Sequence, residues 1–170
     1  MESIMLNQLE RLTERVGGNH QLVDSWLQVR KQLLVSYYNL VGIKPGKGSY
    51  TRLNEKALDD FCHRLVDYLS ACHFNLYERI VAKLKDESLA LAVSRLYPKL
   101  KTNTQQIMAL YDSNLERAID DDNYMEFQQA LSALGETLEA RFTLEDKLIT
   151  LALDSAFGSA NDENHIARPA

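Results

Sequence analysis

Two apolar seams run side by side along residues 22–41, and they restrict the fold more than any other feature of the chain. Leu22, Trp26, Val29, Leu33, Tyr37 and Leu40 fall on one stripe at helical spacing, with Val23, Leu27, Leu34 and Val41 on a second stripe beside it. A helix apolar over so wide an arc has to be covered from two directions. The chain supplies the cover. Leu6, Leu9, Leu12 and Val16 repeat at helical spacing before Gly17-Gly18. Ile107, Tyr111, Leu115, Ala118 and Ile119 form another seam, and Phe127, Leu131, Leu134, Leu138, Phe142, Ile149 and Ala152 line the last. No strand alternation and no internal repeat is visible. Long helices with short connections predict an all-α fold, an up-and-down antiparallel helical bundle with an extra short N-terminal helix.

Local signals place the breaks. Asn19 reads as the N-cap of a helix that ends at Gly42, and "GIKPGKGSY" (42–50) reads as a loop. Asn54 is expected to cap a helix from Glu55, with a weak break near Ala71–His73 and a restart at Asp86 or Ser88. Pro98 is expected to kink its helix or begin a new one at the first turn. Asn123 with Glu126 reads as a capping box for the last helix. From Ser155 the composition turns to Ser, Gly, Asn, Asp and Pro. The expected organisation is one bundle domain over 1–154 and a flexible tail over 155–170.

At 170 residues the chain is long enough to bury a core without staples. A net charge of −5 and a pI near 5.4 disfavour direct contact with a phosphate backbone, so a basic protein surface is the more natural partner. Cys62 and Cys72 stand ten apart in one helical run and form no disulfide framework, which fits a reducing cytoplasm. The start, "MESIMLNQLERL", has early acids and no apolar h-region, so no signal peptide is expected, and no apolar run spans a membrane.

The densest chemistry lies in "DDFCHRLVDYLSACHF" (59–74). At 100° per residue, Leu58, Phe61, Cys62, Leu65 and Leu69 share one face with Cys72 near it. Asp59, Asp60, His63, Arg64, Asp67 and Ser70 share the opposite face. The cysteines and His63 therefore point apart, and Cys62 reads as a small core residue. Di-metal bundles need inward carboxylates and E-x-x-H pairs on separate helices. This chain offers a single outward pair of that kind, Asp60 and His63, so no metal is expected. Two readings of the polar face stay open: a solvated face laced by weak i,i+4 pairs, or a surface for a partner.

"GIKPGKGS" resembles a phosphate loop only briefly. Three residues rather than four separate Gly42 and Gly46, Gly48 follows Lys47, and the loop follows a helix. No G-x-S-x-G is present. No enzyme activity and no cofactor is expected. Two charges fall on apolar stripes, Arg30 between the seams of its helix and Glu145 in the last stripe. Unpaired, each would cost several kcal/mol. They are expected to pair, or to find Tyr37, Tyr38 or water, and to fix helix register. The stretch "YDSNLERAIDDDNYMEF" (111–127) holds six acids against one Arg, which reads as capping or as an acidic patch.

Four blocks, "LVDSWLQVRKQLLVSYYNLVGIKPGK", "RLNEKALDDFCHRLVDYLSA", "NTQQIMALYDSNLE" and "LEARFTLEDKLI", closely resemble the Rsd/AlgQ family of regulators of the primary RNA polymerase sigma factor. The resemblance runs from about Met5 to Leu153, with residues 1–4 as a start-site extension. It implies a helical-bundle anti-sigma protein that binds region 4 of the primary sigma factor. Region 4 reads the −35 element through a helix-turn-helix and docks on core polymerase. It also implies the phosphocarrier HPr and stringent-response enzymes as second partners, and a monomer. Asp67 matches a family position implicated in sigma binding, with Asp60, Arg64 and Tyr68 beside it as partner-binding residues. Asp60 and Asp67 would meet Arg or Lys, and Tyr68 would add an amphipathic contact. The alternative is a metabolite- or phosphocarrier-responsive sensor bundle acting through protein partners, built on the polar interior around Arg30 and Glu145.

Overall fold

A computed structural model describes residues 2–16, 21–42, 50–72, 77–84, 86–115 and 124–166. In chain order these form α1 (Glu2–Val16), α2 (Gln21–Val41), α3 (Tyr50–Ala71), α4 (Glu78–Lys83), α5 (Glu87–Leu110) and α6 (Tyr124–Ile166), with a π-helical turn at Tyr111–Leu115. Among the described residues there is no strand. The fold is all-α, as the seams require.

α2 packs along α3 and α5 along α6; α1 lies against α2 and α6, and α2 touches α6, which joins the two pairs. Contacts fix the directions. Arg30 meets Tyr68 and Glu145. Further along α2, Tyr37 meets the Phe61 ring and the Leu131 carbonyl. Residue numbers rise along α2 while they fall along both partners, so α3 and α6 run antiparallel to it. Both seams of α2 are covered: Trp26, Leu33, Tyr37 and Leu40 on one, Val23, Leu27 and Leu34 on the other, are all buried. The Leu22 side chain lies outside the described residues. Leu134, Leu138, Phe142 and Ile149 of α6 are fully buried at the centre.

α2 ends where its glycine was expected to stop it, with the Gly42 N–H donating to the Tyr38 carbonyl at 3.0 Å. α3 begins at Tyr50, so Asn54 is interior to the helix and does not cap it. Nothing between Tyr50 and Asn54 breaks a helix, and the turn propagates back toward the glycines at little cost. The expected cap at Asn19, the loop over 43–49 and the Asn123 capping box lie outside the described residues.

Asp86 is the N-cap of α5, in extended conformation, and its carboxylate accepts from the Ser88 N–H at 2.8 Å and the Leu89 N–H at 3.4 Å. Asp86→Ala leaves these first-turn donors without their side-chain acceptor and is expected to cost about 1 kcal/mol, while Asp86→Asn costs little. Urea midpoints of the two variants check this.

Pro98 does not begin a new helix; it sits inside the continuous span of α5. Pro98 and Ser94 are both exposed, so the N–H that proline lacks is missing at the helix surface and not in the core. α6 continues to Ile166, through the 155–166 stretch expected to be flexible. Extending a nucleated helix fixes one residue per added hydrogen bond, whereas composition reports only the capacity to bury a core. Residues 167–170 lie outside the described residues. No described helix is long and apolar enough to cross a membrane.

Candidate functional site

The polar face of α3 is open to solvent. Asp59, Asp60, His63, Asp67 and Ser70 are exposed and Arg64 is half-buried. Asp60 accepts from Arg64 Nε at 3.1 Å, and Arg64 Nη1 donates across to Gln32 Oε1 on α2 at 3.3 Å. The His63 ring does not join the acids; its Nδ1–H donates to the Asp59 carbonyl oxygen at 2.8 Å. Asp67 has no hydrogen-bond or ion-pair partner among the described residues. The face thus presents one tethered acid, Asp60, and two acids, Asp59 and Asp67, whose carboxylates have no partner among the described residues.

Tyr68 is not on this face. Expected beside Asp67 as an amphipathic partner contact, it is instead fully buried, so its ring presents no surface to a partner in this structure. With Phe61, Leu65 and Cys72 it follows the 3–4 spacing of the inner stripe. Its ring lies 4.4 Å from that of Trp26 and edge-on to Phe142 at 5.9 Å. Its hydroxyl donates to Glu145.

That bond belongs to a polar network that joins α2, α3, α5 and α6. Arg30 Nη2 meets Glu145 Oε1 at 3.0 Å, Arg30 Nη1 meets Asp146 Oδ1 at 2.6 Å, and Arg30 Nε donates to the Tyr68 hydroxyl oxygen at 3.3 Å. The guanidinium also sits 4.7 Å above the Phe142 ring. On the other side of Glu145, Arg141 Nε reaches Oε2 at 3.0 Å. Arg141 Nη1 reaches Asn103 Oδ1 at 3.2 Å and Thr104 Oγ1 at 2.9 Å. Asn103 Nδ2 donates to the Thr137 carbonyl at 2.9 Å. Tyr37, one of the partners expected for the buried charges, instead donates its hydroxyl to the Leu131 carbonyl at 2.7 Å.

Two arginines face two carboxylates, so the buried charge is balanced. Both oxygens of Glu145 are engaged, and neither is left to act as a base or a nucleophile. Burial alone would lower the Arg30 and Arg141 guanidinium pKa values, but the neighbouring acidic groups outweigh it and raise both. Burial, then the Glu145 carboxylate, pushes the Tyr68 phenol and the Cys72 thiol well above their ordinary values. Among the described residues no three His, Cys, Asp or Glu side chains converge to hold a metal ion.

The raised phenol and thiol set an alkaline limit. Below the unfolded values of about 8.5 for Cys and about 10 for Tyr, both groups are protonated in either state. Above them the unfolded chain releases protons that the native bundle retains, so stability falls as pH rises. Urea midpoints are expected to decline above about pH 8.5 and more steeply past about pH 10, with a shallower decline past pH 10 in Tyr68→Phe.

Residues 5–153 match the family described as "Regulator of RNA polymerase sigma(70) subunit, Rsd/AlgQ". The chain belongs to the Rsd/AlgQ family. It is 69% identical over 166 residues to the Regulator of sigma D of Enterobacter sp. (strain 638), covering 98% of this chain and 100% of that one. It is 68% identical over 152 residues to the Regulator of sigma D of Escherichia coli O139:H28 (strain E24377A / ETEC), covering 89% of this chain and 96% of the relative. The same identity holds for the protein of that name in Shigella boydii serotype 18 (strain CDC 3083-94 / BS512). The match takes in α2 to α5 whole and α6 up to Leu153, so every member of the network lies inside the Rsd/AlgQ segment.

Sequence reasoning placed Arg30 and Glu145 in the interior and missed Tyr68, Asn103, Arg141 and Asp146 as their partners. For three of these the signal was present. Tyr68, Asn103 and Arg141 each occupy an apolar-stripe position of their own helix, between buried neighbours such as Leu65, Leu100 and Leu138.

Proposed function

We propose that this chain is an anti-sigma factor that binds region 4 of the primary sigma factor. By occupying that surface it blocks the contacts of region 4 with −35 DNA and with core polymerase. The observation that carries this reading is membership of the sigma(70) regulator family over residues 5–153. The mechanism is occlusion without chemistry. A helix-turn-helix that reads DNA must expose basic residues, and a chain of net charge −5 complements them.

Asp67 is the natural anchor. It is exposed and unpartnered among the described residues, so it can meet an Arg or Lys without breaking an existing bond. Asp60, steered by Arg64, would add a second contact on the same face, about two helical turns away. Tyr68 contributes from beneath: its hydroxyl holds α3 on Glu145 and so fixes the direction in which Asp67 points. The chain acts as a monomer in a one-to-one complex, in the cytoplasm where polymerase works.

The test is a titration of fluorescently labelled region 4 with the purified chain at about 50 mM and about 300 mM salt, with −35 duplex as competitor. A one-to-one complex that weakens with salt and excludes the duplex is expected, because surface charge pairs are screened over about 10 Å at 0.1 M. Absence of a complex at low salt defeats the reading.

A further inference from the structure

A groove of about 280 Å³ lies between α2 and α3, at the edge of the exposed acidic face. It shares Asp60 and Arg64 with that face, and Lys31, Gln32, Val35 and Ser36 of α2 line its other wall. Arg64 bridges the walls, from Asp60 Oδ2 at 3.1 Å to Gln32 Oε1 at 3.3 Å. The Ser36 hydroxyl is buried and donates to the Leu33 carbonyl at 2.7 Å. These polar groups are engaged within the chain. Val35, the apolar residue of the lining, is not covered: it is 51% exposed, about one turn along α2 from Gln32.

Charge limits what can enter. The groove holds two cations, Lys31 and Arg64, against one carboxylate, Asp60. A partner cation is drawn instead to the open face, where the Asp59 and Asp67 carboxylates have no partner among the described residues. A partner carboxylate would find Lys31 but would enter against the acids of that face. An aliphatic side chain breaks no existing bond and gains by covering Val35. The acids also need such a neighbour. Exposed charge pairs add little net affinity, and interfaces are anchored by apolar groups that lose water near the centre of the contact. Tyr68, buried under α3, offers no such surface. Val66 is exposed, but at two residues from Arg64 it lies on the flank of α3 turned away from α2.

We propose that sigma region 4 sets an aliphatic side chain into the α2–α3 groove against Val35, while its basic residues meet the acids of α3. The inference rests on the sigma-binding reading and extends that surface onto α2.

The region 4 titration tests it with Val35→Gln and Val35→Ala, at about 50 mM and about 300 mM salt. Val35 is exposed, so the thermal midpoints of both variants should stay in place. Binding is expected to weaken about tenfold in Val35→Gln, which sets an amide against the partner's apolar group, and about threefold in Val35→Ala. Each loss should be the same at both salt concentrations, because apolar contact is not screened. Leu91→Gln is the control: Leu91 is 54% exposed on α5, which packs along α6, and its replacement should leave affinity unchanged. Absence of any wild-type complex defeats the sigma-binding reading and this inference with it. A wild-type complex that both Val35 variants bind at full affinity overturns the groove alone. So does a Val35→Gln loss that vanishes at high salt or is matched by Leu91→Gln.

Discussion

Glu145→Ala lowers the stability of the bundle by about 3–5 kcal/mol, the cost of stripping one partner from a buried ionic group. Glu145 is fully buried, and its two oxygens accept from Arg30, Arg141 and Tyr68. Removing it leaves Arg141 with only neutral acceptors, Asn103 and Thr104, inside the core. Arg30 keeps Asp146, which is partly exposed, and so loses the deeper of its two carboxylates. The Tyr68 hydroxyl loses its acceptor at the same moment. A midpoint drop of roughly 10 °C is expected for a domain of this size. Urea unfolding of the variant measures the loss directly, and a change below about 1 kcal/mol would mean that water or rearrangement satisfies both arginines. Replacing Arg30, Arg141 and Glu145 together by apolar residues of similar volume should be far milder than Glu145→Ala. The penalty arises from orphaned charge rather than from the pair as such.

Asp67→Lys is the second large effect, and it falls on association rather than folding. Asp67 is exposed and has no partner among the described residues, so its replacement leaves the core and the network untouched. Reversing its charge sets like against like wherever the partner presents a cation, and affinity for sigma region 4 is expected to fall by at least about tenfold. The loss should shrink at high salt, because it is electrostatic. The measurement is the region 4 titration, run beside a thermal scan that shows an unchanged midpoint. Unaltered affinity would move the contact surface off this face of α3.

Much of this architecture was legible because helical spacing is a strong signal when apolar residues obey it. The two seams of α2 predicted cover from two sides, and α3 and α6 provide it. The Arg30 and Glu145 positions followed from the cost of burying charge alone. Residue type, not spacing, concealed the rest. Tyr68 was read as a partner contact because Tyr is amphipathic and neighbours Asp67. Its spacing from Phe61 and Leu65 put it inside, and the buried carboxylate gave its hydroxyl a reason to be there. Asn103 and Arg141 were passed over in the same way. Asp146 could not have been read at all. It lies off the α6 stripe, and its role depends on α2 approaching α6 from that side, which is a matter of packing between distant segments. The start of α3 was misplaced because Asn54 is a good cap in isolation, while the turn before it had nothing to stop it.

Trp26 is the chain's single tryptophan. It is 4% exposed, stacked on Tyr68, and its indole N–H is buried with no acceptor among the described residues. All indole emission from this protein therefore originates one ring away from the ionic centre of the bundle. Native emission should lie toward the blue and move red as that centre opens to water. Any event that tilts α3 must disturb that stack, so the molecule carries its own label-free optical gauge.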